Sequence, residues 1–292
     1  MKKVFFTFVA YFLLLNSYSQ GKVLKSQSMA SNLLNTDVKY SVYLPPNFES
    51  SDKSYPVVYL LNGFTGDETD WTRVGLVQAT TDELIRGKKI TPMVIIMPDG
   101  DDRLYMNKAD GSYPYEDMII KELMPYVEEK YRIKSEKKYR STSGLSMGGA
   151  GSLRLALKHH ELFGACAAFS SAIVTDAEIK QIPQENFDNY FARIDPELVG
   201  KEGEDRLTDS YNDSSILHLI NNKDPELLKT VNIYFDCGDD DFLAIGNSQL
   251  HIDLLKKRIP HEYRVRDGGH TWNFWVDSLP EGLIFISNSM RD

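Results

Sequence analysis

Gly144-Leu145-Ser146-Met147-Gly148-Gly149 is the stretch on which the fold turns. Residues 138–143 before it are strand-compatible, and 150–157 after it are rich in good helix formers. A Gly-x-Ser-x-Gly pattern between strand and helix describes a nucleophile elbow, a turn too sharp for side chains beside the serine. Gly144 and Gly148 let the backbone pass close to its neighbours and hold Ser146 at the tip in a strained conformation. The hydroxyl then projects above the sheet. The Met147 amide, opening the helix, points toward any oxyanion formed there.

Outward from the elbow, apolar runs alternate with helical stretches. Residues 57–61 and 93–97 are nearly continuous apolar runs, as strands covered on both faces should be. Residues 38–44 alternate with period two, as in an early, half-exposed strand, and further strands are expected at 139–144, 165–169, 233–235 and 263–265. Helices are expected at 78–86, 115–131, 147–159, 247–258 and from 272 to about 287. This alternation predicts an α/β domain built on a mostly parallel, doubly wound sheet. Residues 174–229 break the rhythm, being polar with scattered aromatics (Phe187, Tyr190, Phe191, Tyr211). About 55 residues is too long for a plain connection. The segment reads as a small helical cap inserted over the carboxyl edge of the sheet, where open α/β folds hold ligands.

Residues 1–19 read as a secretory signal: Lys2 and Lys3, an apolar stretch from Val4 to Leu15, and small residues at Ser17 and Ser19 before Gln20. No cysteine follows the cut, so no membrane anchor is expected after cleavage. The remaining 20–292 suffice for one large domain. Losing Lys2 and Lys3 takes the basic count from 33 to 31 against 42 acids, a formal charge of −11. With no basic run, neither nucleic acid nor an anionic membrane is an expected partner. The two cysteines, Cys166 and Cys237, fall near opposite ends of their strands, roughly 15 Å apart in parallel neighbours, which is beyond bonding reach.

A serine nucleophile needs a base, and the base an orienting acid, in the chain order Ser, acid, His. Of six histidines, His270 stands in Asp267-Gly268-Gly269-His270-Thr271-Trp272, between the last strand and the last helix, where glycines let a loop reach over the strand ends. The others fall at helix ends, within a helix, at a strand start or in the cap. The acid is expected after the penultimate strand, in Asp236-Cys237-Gly238-Asp239-Asp240-Asp241. Asp241, beyond the Gly238 turn, is the first choice and Asp240 the second. A calcium site from this cluster lacks the spacing of a known binding loop. The second oxyanion amide is expected at Phe64, in Leu61-Asn62-Gly63-Phe64-Thr65-Gly66.

Together these motifs resemble the Putative esterase (esterase D-like) family of α/β hydrolases, which includes feruloyl esterases, S-formylglutathione hydrolases and mycolyltransferases. The resemblance spans roughly 38–286. It rests on Tyr59-Leu60-Leu61-Asn62-Gly63 with Gly66 and Trp71, on Met97-Pro98-Asp99-Gly100, on Tyr115-Glu116-Asp117 leading into Glu122-Leu123-Met124-Pro125-Tyr126, on the elbow, and on the segments around Asp241 and His270. It implies the α/β-hydrolase fold, Ser146 as nucleophile, Asp241 as acid, His270 as base, Phe64 and Met147 as oxyanion amides, and no metal or organic cofactor. Asn62 departs from the family's usual histidine, which should alter hydrogen bonding in that loop but not the backbone donor two positions on.

The resemblance implies a secreted or periplasmic carboxylic-ester hydrolase acting on a small-molecule or oligosaccharide ester. Export disfavours a glutathione thioester, leaving a hydroxycinnamoyl (feruloyl-type) or acetyl ester of plant cell-wall carbohydrate. Asn62, Trp71 and Trp272 are the candidate substrate contacts; the two tryptophans are suited either to stack an aromatic acyl group or sugar face or to fill core. The rivals are an acyltransferase of the mycolyltransferase type and a catalytically inert carbohydrate-binding protein.

Overall fold

The computed structural model describes residues 19–291, so the expected signal lies, Ser19 apart, outside the described residues. Eight strands, β1 (Lys22–Ser31), β2 (Thr36–Leu44), β3 (Val57–Leu61), β4 (Val94–Pro98), β5 (Arg140–Leu145), β6 (Ala165–Phe169), β7 (Asn232–Gly238) and β8 (Glu262–Arg266), form one sheet. Their order is β1-β2-β4-β3-β5-β6-β7-β8. β2 runs antiparallel to β1 and β4, and every pairing from β4 to β8 is parallel.

The helices that position the site are α1 (Val77–Arg86), α2 (Met147–Lys158), α3 (Gln184–Phe191), α4 (Asp209–Ser214), α5 (Ile216–Asn222), α6 (Ala244–Lys256) and α7 (Trp272–Ser289). Alternate residues of β3 show why its apolar run is unbroken. Val58 and Leu60 pack with Val77 and Leu84 of α1 and Leu279 and Leu283 of α7. Val57, Tyr59 and Leu61 face the opposite layer, with Leu153 of α2 and Leu250 of α6. Fully burying one such side chain contributes about 1.5–3 kcal/mol.

Two expectations need correction. β2 is not half-exposed: Tyr40 to Leu44 are buried. Tyr40 Oη meets Tyr131 Oη (3.1 Å) on one face, while Tyr43 Oη donates to Asp82 of α1 (2.7 Å) on the other. The edge position belongs instead to β1, which sequence reasoning missed. Its Lys, Ser and Gln residues carry no apolar alternation, and a bulge between Leu24 and Gln27, with Ser26 at φ 47°, breaks its period. Cys166 and Cys237 are both buried and unpaired, Cys166 lying opposite Ile233 in the β6–β7 register.

Residues 174–229 carry α3, α4, α5 and shorter turns, with no strand among them. β3 is flanked by β4 on one side and β5 on the other. The chain therefore leaves β3 in one direction and returns on its other side, opening a crevice at the carboxyl ends of β3 and β5.

Candidate active site

At the end of β5 the backbone reverses at Ser146, with φ 53° and ψ −116°, a region non-glycine residues rarely adopt. The strain is held by contacts that no side chain could share. A Cβ on Gly148 would lie 2.5 Å from the carbonyl oxygens of Leu61 and Asn62, and one on Gly144 2.5 Å from the Gly148 oxygen. The Ser146 amide donates to Phe169 O (2.9 Å), tying the elbow to β6.

Loops from two other strands converge on this hydroxyl. After β8, Gly268 (φ 138°) carries the chain over the end of β7; its amide donates to Asp239 Oδ1 (3.1 Å) and its carbonyl accepts from the Asp240 amide (3.0 Å). His270 is thereby presented with Nε2 2.9 Å from Ser146 Oγ and Nδ1 2.9 Å from Asp241 Oδ2. Trp275 meets the imidazole edge-on at 4.8 Å and Phe242 packs at 4.7 Å, fixing the ring plane. Burial would raise the Asp241 carboxyl, but hydrogen bonds from His270 and from the Leu243 amide (2.9 Å) hold it below the usual carboxylate range. An ionised Asp241 fixes Nδ1 as the protonated nitrogen, leaving Nε2 to accept from the serine. Asp240 takes no such part: with Asp239 and Asp267 it is exposed, and the three carboxylates form a solvated cluster on the outer surface.

Phe64 and Met147 both line the cavity above Ser146. Met147 is the first residue of α2, so its N–H has no acceptor within the helix. Gly63 lies against the elbow, since a Cβ there would be 3.6 Å from Ser146 Cβ. The loop 62–66 is bolted from behind: Asn62 Oδ1 accepts from the Gly100 amide (3.0 Å) and Tyr105 Oη (2.8 Å), and its Nδ2 donates to Gly63 O (3.0 Å). The Thr65 amide donates to Asp102 Oδ1 (2.6 Å).

These contacts correct two candidates. Asn62 is 1% exposed and does not line the cavity; it sets the loop that carries Phe64 rather than touching substrate. Trp71 is likewise 1% exposed, its indole N–H donating to Leu61 O (3.0 Å), and it supports Trp272 from behind at 5.4 Å. Trp272 does line the cavity.

The cavity encloses about 820 Å³ between the strand ends and the cap, within the ordinary range for a small-molecule site. Its cap wall includes Tyr190 and Phe191 of α3, with Tyr190 packed on Phe64 at 5.5 Å and Arg193 over the Phe64 ring at 4.9 Å. Sequence reasoning missed Tyr105 and Asp102, which brace the loop 62–66, and Arg154, which lines the cavity. The last was legible in outline: Met147, Ala150 and Arg154, spaced three and four apart, share one face of α2.

A model of the family described as "Putative esterase" matches residues 31–286. A protein named acetyl esterase, from Caldicellulosiruptor saccharolyticus, is 27% identical over 235 residues, covering 79% of this chain and 82% of that protein. The endo-1,4-beta-xylanase/feruloyl esterase of Xylanibacter ruminicola is 31% identical over 147 residues, 48% of this chain and 20% of that protein. Among solved structures, a ferulic acid esterase superposes with a TM-score of 0.79 at 30% identity, covering 92% of this chain and 99% of that one.

Proposed function

Because the chain belongs to the Putative esterase family and is a carboxylic ester hydrolase of the α/β-hydrolase fold, we propose that it is an exported serine esterase removing hydroxycinnamoyl (feruloyl-type) or acetyl groups from plant cell-wall carbohydrate. The observation that carries the mechanism is the unbroken line of hydrogen bonds from Ser146 Oγ through His270 to Asp241. Ser146 Oγ attacks the ester carbonyl as its proton passes to His270 Nε2. The oxyanion rests on the Phe64 and Met147 amides, each worth about 2.7–4 kcal/mol of activation free energy. His270 then protonates the departing alcohol as its carbon–oxygen bond breaks; the same nitrogen next draws a proton from a water whose oxygen attacks the acyl carbon, and returns it to Ser146 Oγ as the acyl–serine bond breaks and the acid leaves. Asp241 stabilises the imidazolium in both halves.

The acyl preference is supported by the names of two relatives and by the size and aromatic lining of the cavity. Export is supported by Lys2, Lys3 and the apolar run after them. The test is a panel of acetyl, butyryl and feruloyl chromogenic esters, with methyl ferulate and an acylated xylan fragment, on wild type and Ser146→Ala. Cleavage of the feruloyl or xylan substrates well above a generic short-chain ester is expected. Equal or lower rates reduce the reading to a general carboxylesterase. Fractionation of the full chain checks export.

A further inference from the structure

The cavity has two unlike sides. Its outer side meets solvent at Arg73, Trp272 and Phe242, the last 72% exposed. Its inner side follows Met147, Ala150 and Arg154 along α2, about 12 Å from residue 146 to residue 154 at 1.5 Å per residue, beneath Tyr211 and Ile216 of the cap. A polymeric alcohol must extend into solvent, which leaves the inner arm to the acyl group.

Arg154, in that arm, is a buried cation with no carboxylate in direct contact. Its Nη2 donates to Asp213 O (2.9 Å) and Ser214 O, at the carboxyl end of α4. Among the described residues no carboxylate lies within ion-pairing distance of it, and its Nε and Nη1 make no hydrogen bond. It feels the fields of two carboxylates, Asp213 and Glu116, the latter already engaged by Lys158 Nζ (2.8 Å) and His159 Nε2 (2.7 Å). Tyr211 also lines the cavity, its buried Oη making no hydrogen bond of good geometry and having the Ser215 hydroxyl and the Asp176 carboxylate as its polar neighbours. The two carbonyls and the helix dipole offset part of the desolvation cost, which for a buried ion is several kcal/mol. They leave the Nε–H and the Nη1 hydrogens unused, each able to make a charge-assisted hydrogen bond to a carboxylate oxygen.

We infer that the inner arm takes an acyl group ending in a carboxylate, with Arg154 binding that far end, so that half-esters of dicarboxylic acids are substrates. The inference rests on Ser146 as nucleophile and extends the acyl range beyond acetyl and hydroxycinnamoyl groups. A neutral aryl or methyl end leaves the guanidinium uncompensated; a carboxylate pairs with it and leaves an acceptor for Tyr211 Oη.

The test compares para-nitrophenyl half-esters of succinate, adipate and suberate with their neutral, methyl-capped counterparts, taking the ratio of kcat/KM within each protein. At the best chain length wild type favours the charged ester by roughly 10-fold or more, the effect of one charge-assisted hydrogen-bonded pair. Arg154→Met brings that ratio to about one or below, and Arg154→Lys keeps part of it. Because each ratio is internal, any general loss from a loosened cap cancels. A wild-type ratio at or below one for every chain length overturns the inference, whether or not the variants fold. So does a wild-type ratio retained in Arg154→Met. If Ser146→Ala hydrolyses both esters as fast as wild type, the nucleophile assignment itself has failed, and that result is distinct from either.

Discussion

The elbow and the cap are held by opposite means. At the carboxyl edge of the sheet, position is set by backbone against backbone. Gly144, Gly148 and Gly238 each sit where a Cβ would collide with a neighbouring carbonyl. The cap is held by side chains that reach for carbonyls: Arg206 donates to Ile179, Ile182 and Lys201, and Arg154 to Asp213 and Ser214. Backbone contacts leave no room for substitution, whereas an arginine staple can be moved to another residue. The triad is therefore rigidly placed while the cap wall of the cavity is open to variation.

The first half of that contrast breaks most easily at Ser146. Ser146→Ala should lower kcat by about 10⁴-fold or more while leaving the fold intact, because the side chain makes no structural contact besides His270. Residual turnover within tenfold of wild type would mean that another group attacks. Asp241→Asn comes next, with an expected loss of about 10³–10⁴-fold in kcat and little change in KM, since an amide no longer holds Nδ1 as the protonated nitrogen. An equal loss in Asp240→Asn would move the acid to the neighbouring position and unseat the assignment; the exposed Asp240 should instead behave as wild type.

The same contrast explains what the sequence disclosed. The elbow, the histidine loop and the continuous runs of β3 and β4 are local: glycines at fixed offsets and apolar residues in sequence state their own geometry. Asp241 and Asp240 are only ranked by sequence; it is the fold that separates them, setting Asp241 buried against His270 and leaving Asp240 exposed. β1 stayed hidden because an edge strand gains its stability from the ladder with β2 and needs no apolar pattern of its own. Trp71 stays open between substrate and core because a tryptophan in a loop after a central strand looks the same in sequence whether it faces substrate or backs another tryptophan. The cap's contacts were illegible because Arg154 and Arg206 bond to main-chain carbonyls, which carry no residue identity.

Within the sheet edge itself, two aspartates of one strand and its loop respond oppositely to their surroundings. Burial holds the Asp236 carboxyl up at about 6, against an ordinary 3.8, even with Arg266 Nη2 at 2.7 Å. Between those values the folded protein binds a proton that the unfolded chain has released, so this group's share of stability falls as pH rises through the window. Asp241 is depressed instead; its share is present above the ordinary value and is lost only as pH drops through its lower folded value. Acidifying from pH 7 to 5 should therefore relieve about 1 kcal/mol of the roughly 3 kcal/mol that ionised Asp236 costs, without disturbing Asp241. Asp236→Asn should flatten the slope of Tm against pH in that range. An unchanged slope would show that Arg266 compensates the charge fully.

The smallest expected effect probes the cap. Arg206 donates to three carbonyls and to Gln184 Oε1, with its guanidinium 4.2 Å from the Phe187 ring centre. Arg206→Met keeps most of the volume but leaves those carbonyls without a donor, at about 1–3 kcal/mol for each that water cannot reach. Because the elbow is braced by β3, β6 and the loop 62–66 rather than by this staple, the cost should appear as local opening of 176–228. Hydrogen exchange there should quicken, KM for a feruloyl ester should rise about threefold, and kcat for a short acetyl ester should stay within about twofold. If acetyl turnover collapses with the cap instead, sheet edge and cap are one cooperative unit, and the division of labour between fixed chemistry and adjustable wall is wrong.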